Sequence, residues 1–340
     1  MRKSLLLILL LSFKLCATEM DVTSTAVLVP SQEKATTAVI HRAWVNLLSK
    51  YTGLSTYEIE SANILEGIDL SSQIVRSYYK RVPVDSSNQP FWYHINTDAD
   101  FLQQFVISRN LPIWPPKREP VYLWLVEEVD GEVQFASPQA EVMYWLKNWF
   151  EIKGVPLVFM NPLEAVDLSF NPEAVKNLSY EPVEYMTNLQ PTANVLMLTI
   201  KQQENSFSYR LGLARENRPL AIRHKQFVNV TDGVMDVADF AQSQMADSFK
   251  LVASDFSDHT IAVVVNNLTS YDAVAQLFSY FDAHFLIEQT SLVRATNSRL
   301  EFRLSIKVKP DAFLRSVEGN RLIEYQPLGS ANQYVFSFMQ

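Results

Sequence analysis

Glycine is scarce in this chain, with eight glycines among 340 residues. That is about a third of the usual glycine content of proteins. Glycine supplies the tight turns that let backbone amides approach a phosphate, so the scarcity argues against nucleotide binding. The sequence also lacks the motifs G-x-G-x-x-G, G-x-x-x-x-G-K-[ST], G-x-S-x-G, H-E-x-x-H and C-x-x-C, which mark common catalytic sites. We therefore expect no catalytic residue set, no cofactor and no bound metal.

Positive charge and cysteine are also in short supply. The chain has 29 lysines and arginines against 37 aspartates and glutamates, and its formal net charge is −8. Most of such a surface would repel a polyanion, so we expect no nucleic-acid partner. The single cysteine, Cys16, lies within the first 17 residues. If those residues are removed, disulfide bonds, cysteine nucleophiles and thiolate zinc sites are excluded.

The N-terminus has the three parts of a secretory signal peptide. Arg2 and Lys3 give a positive start, residues 5–11 form an apolar run, and Ala17 supplies a small residue before the expected cleavage. An apolar run of this length is too short to cross about 30 Å of hydrocarbon. No later segment approaches the length of a membrane span either. We therefore expect export, removal of residues 1–17, and a soluble chain without a transmembrane segment.

Cys16 leaves one alternative for the N-terminus. A bacterial lipoprotein carries its lipid on a cysteine at the cleavage site, and such signals place small or aliphatic residues just before it. Phe13 and Lys14 fit that pattern poorly. Lipid anchoring at Cys16 is therefore kept only as the alternative to complete removal.

The rest of the chain divides into three small modules of the α+β class. Residues 18–114 predict the order β-α-(α)-β-β-α, and the proline-rich stretch at 111–116 is the clearest linker signal. Residues 117–253 predict a βαβ unit followed by a three-strand meander, which indicates a mixed sheet with helices against it. Residues 254–340 predict the ferredoxin-like order β-α-β-β-α-β, with the last strand at 334–338.

Two aromatic side chains crowd one helix of the middle module. The predicted helix at 137–153 contains Trp145 and Trp149, which are four positions apart and so share a helix face. We interpret this face as core. Stacking on a sugar or a nucleobase is the alternative.

Acidic and histidine side chains give two weak candidate sites. A polar stretch contains Asp255, Asp258 and His259, which could supply oxygen and imidazole ligands to a metal, but we interpret it as a loop preceding a strand. The start of a long helix carries Asp232, Asp236 and Asp239. There we favour interaction with the positive end of the helix, because a catalytic carboxylate pair requires burial.

A candidate protein-interaction patch lies at the linker. Trp114 is held between prolines and is followed by Lys117 and Arg118. An exposed tryptophan beside an arginine is typical of an interaction anchor, so we take these three residues as the candidate patch. For Trp114 itself, a tryptophan wedged between two modules is the favoured interpretation.

Several segments together resemble the bacterial DUF2066 family. They are the helix end Ser49-Lys50-Tyr51-Thr52-Gly53, the tract Leu111-Pro112-Ile113-Trp114 leading to Pro120-Val121-Tyr122-Leu123-Trp124-Leu125, and Asn267-Leu268-Thr269-Ser270-Tyr271 followed by Tyr280-Phe281 and a hairpin. The resemblance covers nearly the whole chain after residue 17. The sequence departs from the family at Lys117-Arg118-Glu119-Pro120, where the family tends to have a shorter, glycine-containing approach. The resemblance implies an exported protein of a Gram-negative bacterium and gives no catalytic residues to carry over.

These observations favour one function and leave two alternatives. An export signal, several small modules and the lack of a catalytic motif favour a non-enzymatic periplasmic binding or assembly factor with cell-envelope proteins as partners. At the level of fold alone, the layout is similar to the N-terminal assembly modules of TolB-like and CsgG-like proteins. An envelope hydrolase is one alternative, because carboxylate pairs come together in space rather than in sequence. A ligand-binding sensor with an apolar cavity between modules is the other.

Overall fold

Sheets and helices are both abundant in the computed structural model of this chain, which confirms the predicted α+β class. The predicted signal peptide, including Cys16, lies outside the described residues. Among the helices of the described part, none is long and apolar enough to span a membrane. The structure describes residues 18–32, 35–83, 90–162, 170–190, 193–203, 206–215, 220–247, 251, 255–284, 286–296, 298–317, 322–327 and 333–339.

The first module contains a three-stranded antiparallel sheet and three helices. Its elements are β1 (Thr18–Glu19), β2 (Ser24–Val29), α1 (Thr37–Thr52), α2 (Thr56–Ser61), β3 (Ile74–Arg81), β4 (Phe91–Thr97) and α3 (Ala99–Ser108). The sheet order is β2-β4-β3. Thr36 is the N-cap residue of α1, and its side chain accepts a hydrogen bond from the backbone N–H of Val39. One sheet face packs on the helices, where Tyr93 and Ile95 share a core with Trp44.

The middle module is built on a six-stranded mixed sheet with helices on both faces. Its elements are β5 (Lys117–Arg118), β6 (Val121–Val129), β7 (Glu132–Phe135), α4 (Glu141–Ile152), β8 (Leu157–Phe159), α5 (Pro172–Lys176), α6 (Glu181–Leu189), β9 (Asn194–Gln203), β10 (Ser206–Ala214), β11 (Ala221–Phe227) and α7 (Val230–Ala246). The sheet order is β11-β10-β9-β6-β7, and β8 also pairs with β6. Strand β6 runs parallel to β8 and β9 and antiparallel to β7.

The hairpin between β6 and β7 was missing from the sequence-based prediction. The backbone reverses at Asp130 (φ 52°) and Gly131 (φ 87°), and two consecutive positive φ angles are what a tight two-residue hairpin turn requires. The chain therefore returns along β6 before the next helix begins. That helix, α4, begins at Glu141 rather than at residue 137.

The C-terminal module is a five-stranded sheet with helices on one face. Its elements are β12 (Phe256–Asn266), α8 (Tyr271–Ala283), β13 (Ile287–Ala295), β14 (Arg299–Val308), α9 (Pro310–Val317), β15 (Ile323–Gln326) and β16 (Gln333–Phe338). The sheet order is β13-β14-β12-β16-β15. Phe281 of α8 packs edge-on against Phe302 of β14, with 5.2 Å between ring centroids.

The predicted ferredoxin-like order is not confirmed for this module. A helical crossover joins parallel strands, so a final strand directly after α9 would run parallel to β14 and antiparallel to β12. The structure instead has β15 after α9, and β15 and β16 form an antiparallel pair. This extra strand reverses the chain, and β16 consequently pairs with β12 in parallel.

One hydrophobic cluster extends across the first and middle modules in addition to the core that each has of its own, whereas the core of the C-terminal module is separate. Trp92 of the first module contacts Trp145 and Trp149 of α4, with ring centroids 6.0 and 5.3 Å apart. The indole N–H of Trp92 also donates to the hydroxyl of Tyr144 at 2.9 Å. Trp145 and Trp149 are therefore buried core residues, in agreement with the favoured interpretation. The core of the C-terminal module contains Leu251 and residues of β12 to β16.

Candidate functional site

Arg118 joins the linker, the first module and the middle module. Its guanidinium donates to four backbone carbonyl groups, those of Pro115 (2.8 Å), Gly154 (2.6 Å), Lys50 (2.7 Å) and Trp114 (3.0 Å). The Cζ atom also lies 3.6 Å from the ring centroid of Trp114. Burial lowers the pKa of Arg118 to about 9. This value is still above neutral pH, so the guanidinium is protonated there. Arg118 is thus a cation held by dipoles and an aromatic face.

The candidate patch at Trp114, Lys117 and Arg118 is not an exposed surface. Trp114 and Arg118 are each 3% exposed, so a partner has no access to the indole or to the guanidinium. The geometry matches the favoured interpretation, in which the tryptophan is wedged between two modules. The local sequence was misleading because the groups that cover these side chains come from Lys50 and Gly154, far away in the chain.

Lys117 connects this junction to the C-terminal module. Its Nζ atom donates to the carbonyl of Asp282 at 2.5 Å and lies 3.5 Å from the carbonyl oxygen of His284. A backbone bridge between Ile113 and Leu251 gives a second connection between the linker and the C-terminal core. Lys117 is therefore a contact between modules rather than a free surface cation.

Sequence reasoning missed two buried lysines at the same junction. Lys50 donates to the carbonyl of Ser24 at 3.0 Å, and burial lowers its pKa to about 8. Lys153 is 1% exposed and forms an ion pair with Asp239 at 2.5 Å. No local signal marks these lysines as buried, because their partners lie far from them in sequence.

The three aspartates of α7 do not form a carboxylate pair. Asp232 lies in the first turn, where its backbone N–H donates to the side chain of Asn229, which caps the helix. Asp236 accepts hydrogen bonds from Tyr209, Arg223 and Lys225, and Asp239 pairs with Lys153. These separate ion pairs attach α7 to neighbouring elements, which agrees with a structural role.

The predicted polar loop at 255–259 is wrong for most of its length, because β12 begins at Phe256. A register shift between Phe256 and His259 marks an irregularity in its pairing with β14. The Nε2 atom of His259 lies 2.9 Å from the hydroxyl of Ser257. Within the described ranges, no group of three or more histidine, cysteine, aspartate or glutamate side chains could hold a metal ion.

A cleft of about 420 Å³ lies at the carboxyl ends of β6 and β9. Its lining includes Glu127, Glu128, Asp130 and Lys201. Burial raises the pKa of Glu127, whereas the hydrogen bond from Lys201 (2.7 Å) lowers the pKa of Glu128. Successive residues of a strand point to opposite sheet faces, so these two carboxyl groups diverge instead of facing one another. The cleft therefore contains carboxyl groups with shifted pKa values, but these groups do not face one another as an acid–base pair would.

Glu119 is a half-buried carboxyl at the opposite ends of the same strands. The side-chain amide of Asn194 donates to its Oε2 atom at 3.2 Å. Burial raises the pKa of Glu119 despite this bond. Nearby, the hydroxyl of Tyr122 donates to Gln190 at 2.9 Å. Glu119 belongs to a partly buried polar group that orders the strand ends, and it does not line the cleft.

The C-terminal sheet exposes part of the face opposite its helices, along β13 and β14, whereas Val264 of β12 on the same face is buried. Along β14, buried residues alternate with residues that are exposed or half-buried. The latter include Arg303 and Glu301. In the strand register, Arg303 lies opposite Ser291 of β13, and Glu301 lies opposite Arg294. At the edge of the sheet, β13 is exposed over most of its length. The helices of the C-terminal module leave the polar side chains of β14 and most of β13 on this face accessible.

Comparisons with protein-family models, curated proteins and solved structures found no match to this chain. The resemblance to the DUF2066 family therefore stays a prediction.

Proposed function

We propose that this protein is a non-enzymatic binding or assembly factor of the bacterial cell envelope, exported to the periplasm through residues 1–17. The observation that carries the proposal is the open sheet face of the C-terminal module. A folded module with its own core and an uncovered ordered face is suited to binding a macromolecule. The DUF2066 resemblance and the N-terminal sequence pattern support the location.

The rest of the described chain is suited to supporting this module. The first two modules share a hydrophobic cluster, and Arg118 joins them through four hydrogen bonds. The buried cations of these two modules already form hydrogen bonds or ion pairs inside the protein, so they are not accessible to a partner. Lys117 and the Ile113–Leu251 bridge connect the C-terminal module to the first two through polar contacts. The first two modules therefore act as one body, and the C-terminal module attached to it presents the open sheet face.

A site-specific photo-crosslinking residue tests the proposal. It replaces Ser305 on the open face in one strain and Asp272 on α8 in a matched strain, with the natural N-terminus kept in both. We expect discrete envelope-protein adducts from position 305, few from position 272, and a periplasmic chain that begins at Thr18. A cytoplasmic chain, or equal adducts from both positions, would contradict the proposal.

The alternative function, an envelope hydrolase, would have to act at the cleft. Neighbouring carboxyl groups with pKa values shifted in opposite directions are found in many acid–base sites. Glu127 and Glu128 have such shifts, although their side chains leave β6 on opposite faces. A turnover of ester, peptide or glycoside substrates that is lost in both Glu127→Gln and Glu128→Gln would favour the hydrolase over the binding factor.

The described cleft gives less support to a ligand-binding sensor. That function calls for an apolar cavity between modules. The cleft lies within the middle module, and charged side chains make up much of its lining.

A further inference from the structure

We infer that β13, which carries Arg294, and Arg303 of the neighbouring strand β14 form a docking surface for an acidic, extended polypeptide segment, which adds to the C-terminal sheet as a further strand. The inference rests on the proposed function and specifies the partner's chemistry. It depends on three properties of this edge, namely free backbone groups, unneutralised positive charge and exposed apolar side chains.

The first property is a free backbone edge. Among the described strands, β13 is the terminal strand of the sheet and pairs only with β14. Its pairing is regular from Gln289 to Leu292, between two register shifts. Along such a stretch, every second residue turns its N–H and C=O groups away from the sheet, where another strand can bind them.

The second property is positive charge that forms no ion pair with a described residue. Arg294 and Arg303 lie on the open face and make no salt bridge with any described residue. Of the acidic groups nearby, Glu301 is paired with Arg299 at 3.0 Å and Glu288 with Lys307 at 3.6 Å. The acidic neighbours are thus already engaged, although the chain as a whole has a net charge of −8.

Other edge strands also carry basic residues, and lysine or arginine at an edge often serves to prevent aggregation. On β11, however, Arg223 and Lys225 both pair with Asp236, at 2.6 and 2.8 Å. On β3, the guanidinium of Arg76 lies 5.3 Å from the ring centroid of Tyr78. Among the described residues, Arg294 and Arg303 have no such partners, which suits them to charge on another molecule.

The third property is a pair of exposed apolar side chains. Leu292 is 47% exposed and Val293 is 59% exposed. The register shift between Leu292 and Arg294 makes Val293 the extra residue. If the only role of this edge were to prevent pairing with strands of other molecules, a charged residue would be expected at the bulge. An added strand would instead cover both apolar groups.

These three properties together favour a polypeptide over other polyanions. A lipid headgroup or a nucleic acid could bind the arginines, but it would not form the repeating backbone hydrogen bonds of an edge strand. Acidic side chains on one face of the incoming strand would meet Arg294 and Arg303. Apolar or β-branched residues on its other face would lie near the covered edge.

Fluorescence anisotropy on the full chain tests the inference. The probe is a labelled nine-residue peptide in which glutamate alternates with valine and threonine. The competing probes are a lysine-for-glutamate version, phosphatidylglycerol vesicles and a single-stranded oligonucleotide. Two further peptides carry N-methyl groups on alternate residues, in the odd or the even set, because an added strand bonds through one set of N–H groups only.

We expect saturable binding of the glutamate peptide, at least tenfold weaker binding for Arg294→Glu/Arg303→Glu, and loss of binding for one N-methyl peptide but not the other. The matched control is Lys147→Glu/Arg210→Glu, which makes the same charge change on exposed residues of the middle module and should leave binding unchanged. The inference is overturned if the peptide does not bind, if both N-methyl peptides bind equally well, or if vesicles or oligonucleotide bind through these arginines in its place. Should crosslinks at position 305 persist in such a case, the proposed function stands and the inference alone fails.

Discussion

Replacing Arg118 with methionine should destabilise the first two modules together. The change keeps an unbranched, buried side chain of similar length but removes every hydrogen-bond donor. Four carbonyl groups, contributed by the linker, α1 and the chain after α4, then lose their partner. Because these carbonyls come from different modules, the loss weakens the junction rather than one element.

The magnitude follows from the contacts of the guanidinium. Four hydrogen bonds at a net value of about 1 kcal/mol each contribute about 4 kcal/mol. The contact with Trp114 adds about 1 kcal/mol. Removing the buried charge offsets part of this, since burial disfavours the charged form and lowers the pKa of Arg118 to about 9. We expect a net loss of about 2–4 kcal/mol in the free energy of unfolding.

Urea unfolding followed by tryptophan fluorescence measures this loss selectively. All six tryptophans lie between positions 44 and 149, so their signal reports the first two modules and not the C-terminal one. The matched control is Arg210→Met, which alters an exposed arginine of β10 and should change stability by less than about 0.5 kcal/mol. A loss below about 1 kcal/mol for Arg118→Met would refute the assigned role.

Three further outcomes are expected from buried groups. Gly154→Ala should be far more destabilising in urea unfolding than Gly131→Ala, because an added Cβ would lie 2.0 Å from Nη1 of Arg118, whereas nothing lies within 4 Å at Gly131 and φ is positive at both. Burial lowers the pKa of Lys50 to about 8 from 10.5, so the folded state releases this proton first. Stability should therefore rise between about pH 8 and pH 10.5, on the order of 3 kcal/mol, and Lys50→Met should lack that rise in urea titrations at these pH values. Burial lowers the pKa of His284 to about 3, so the unfolded chain binds the proton first as pH falls below 6.5. The C-terminal module should then lose stability between pH 6.5 and 3, and His284→Gln should reduce the loss in circular-dichroism unfolding curves.

Local sequence signals predicted much of the fold because they act over a few residues. The apolar periodicity of α1 and the turn signals between strands depend on neighbours in the chain, and the α+β class followed from them. The Asp130–Gly131 turn was also present as a local signal, since Asp-Gly between apolar segments favours a hairpin. Strand β15 is short and sits at an edge, so it leaves a weaker pattern.

The junction could not be predicted in the same way. Arg118 is surrounded by carbonyl groups from Lys50 and Gly154, and any residue type can supply a carbonyl. No side-chain pattern therefore marks these partners in the sequence. The open face of the C-terminal sheet was equally hidden, because the alternation along β14 predicts a two-sided strand but not whether another layer covers its polar side.

Hydrogen–deuterium exchange of the full chain, with and without the glutamate peptide, tests the central claim most directly. Edge amides that face solvent exchange quickly, and an added strand would protect them. The account predicts that bound peptide slows exchange within residues 289–292 of β13 and leaves the edges at β3 and β11 unchanged. Unchanged exchange at β13 under saturating peptide, or protection confined to another edge, would contradict it.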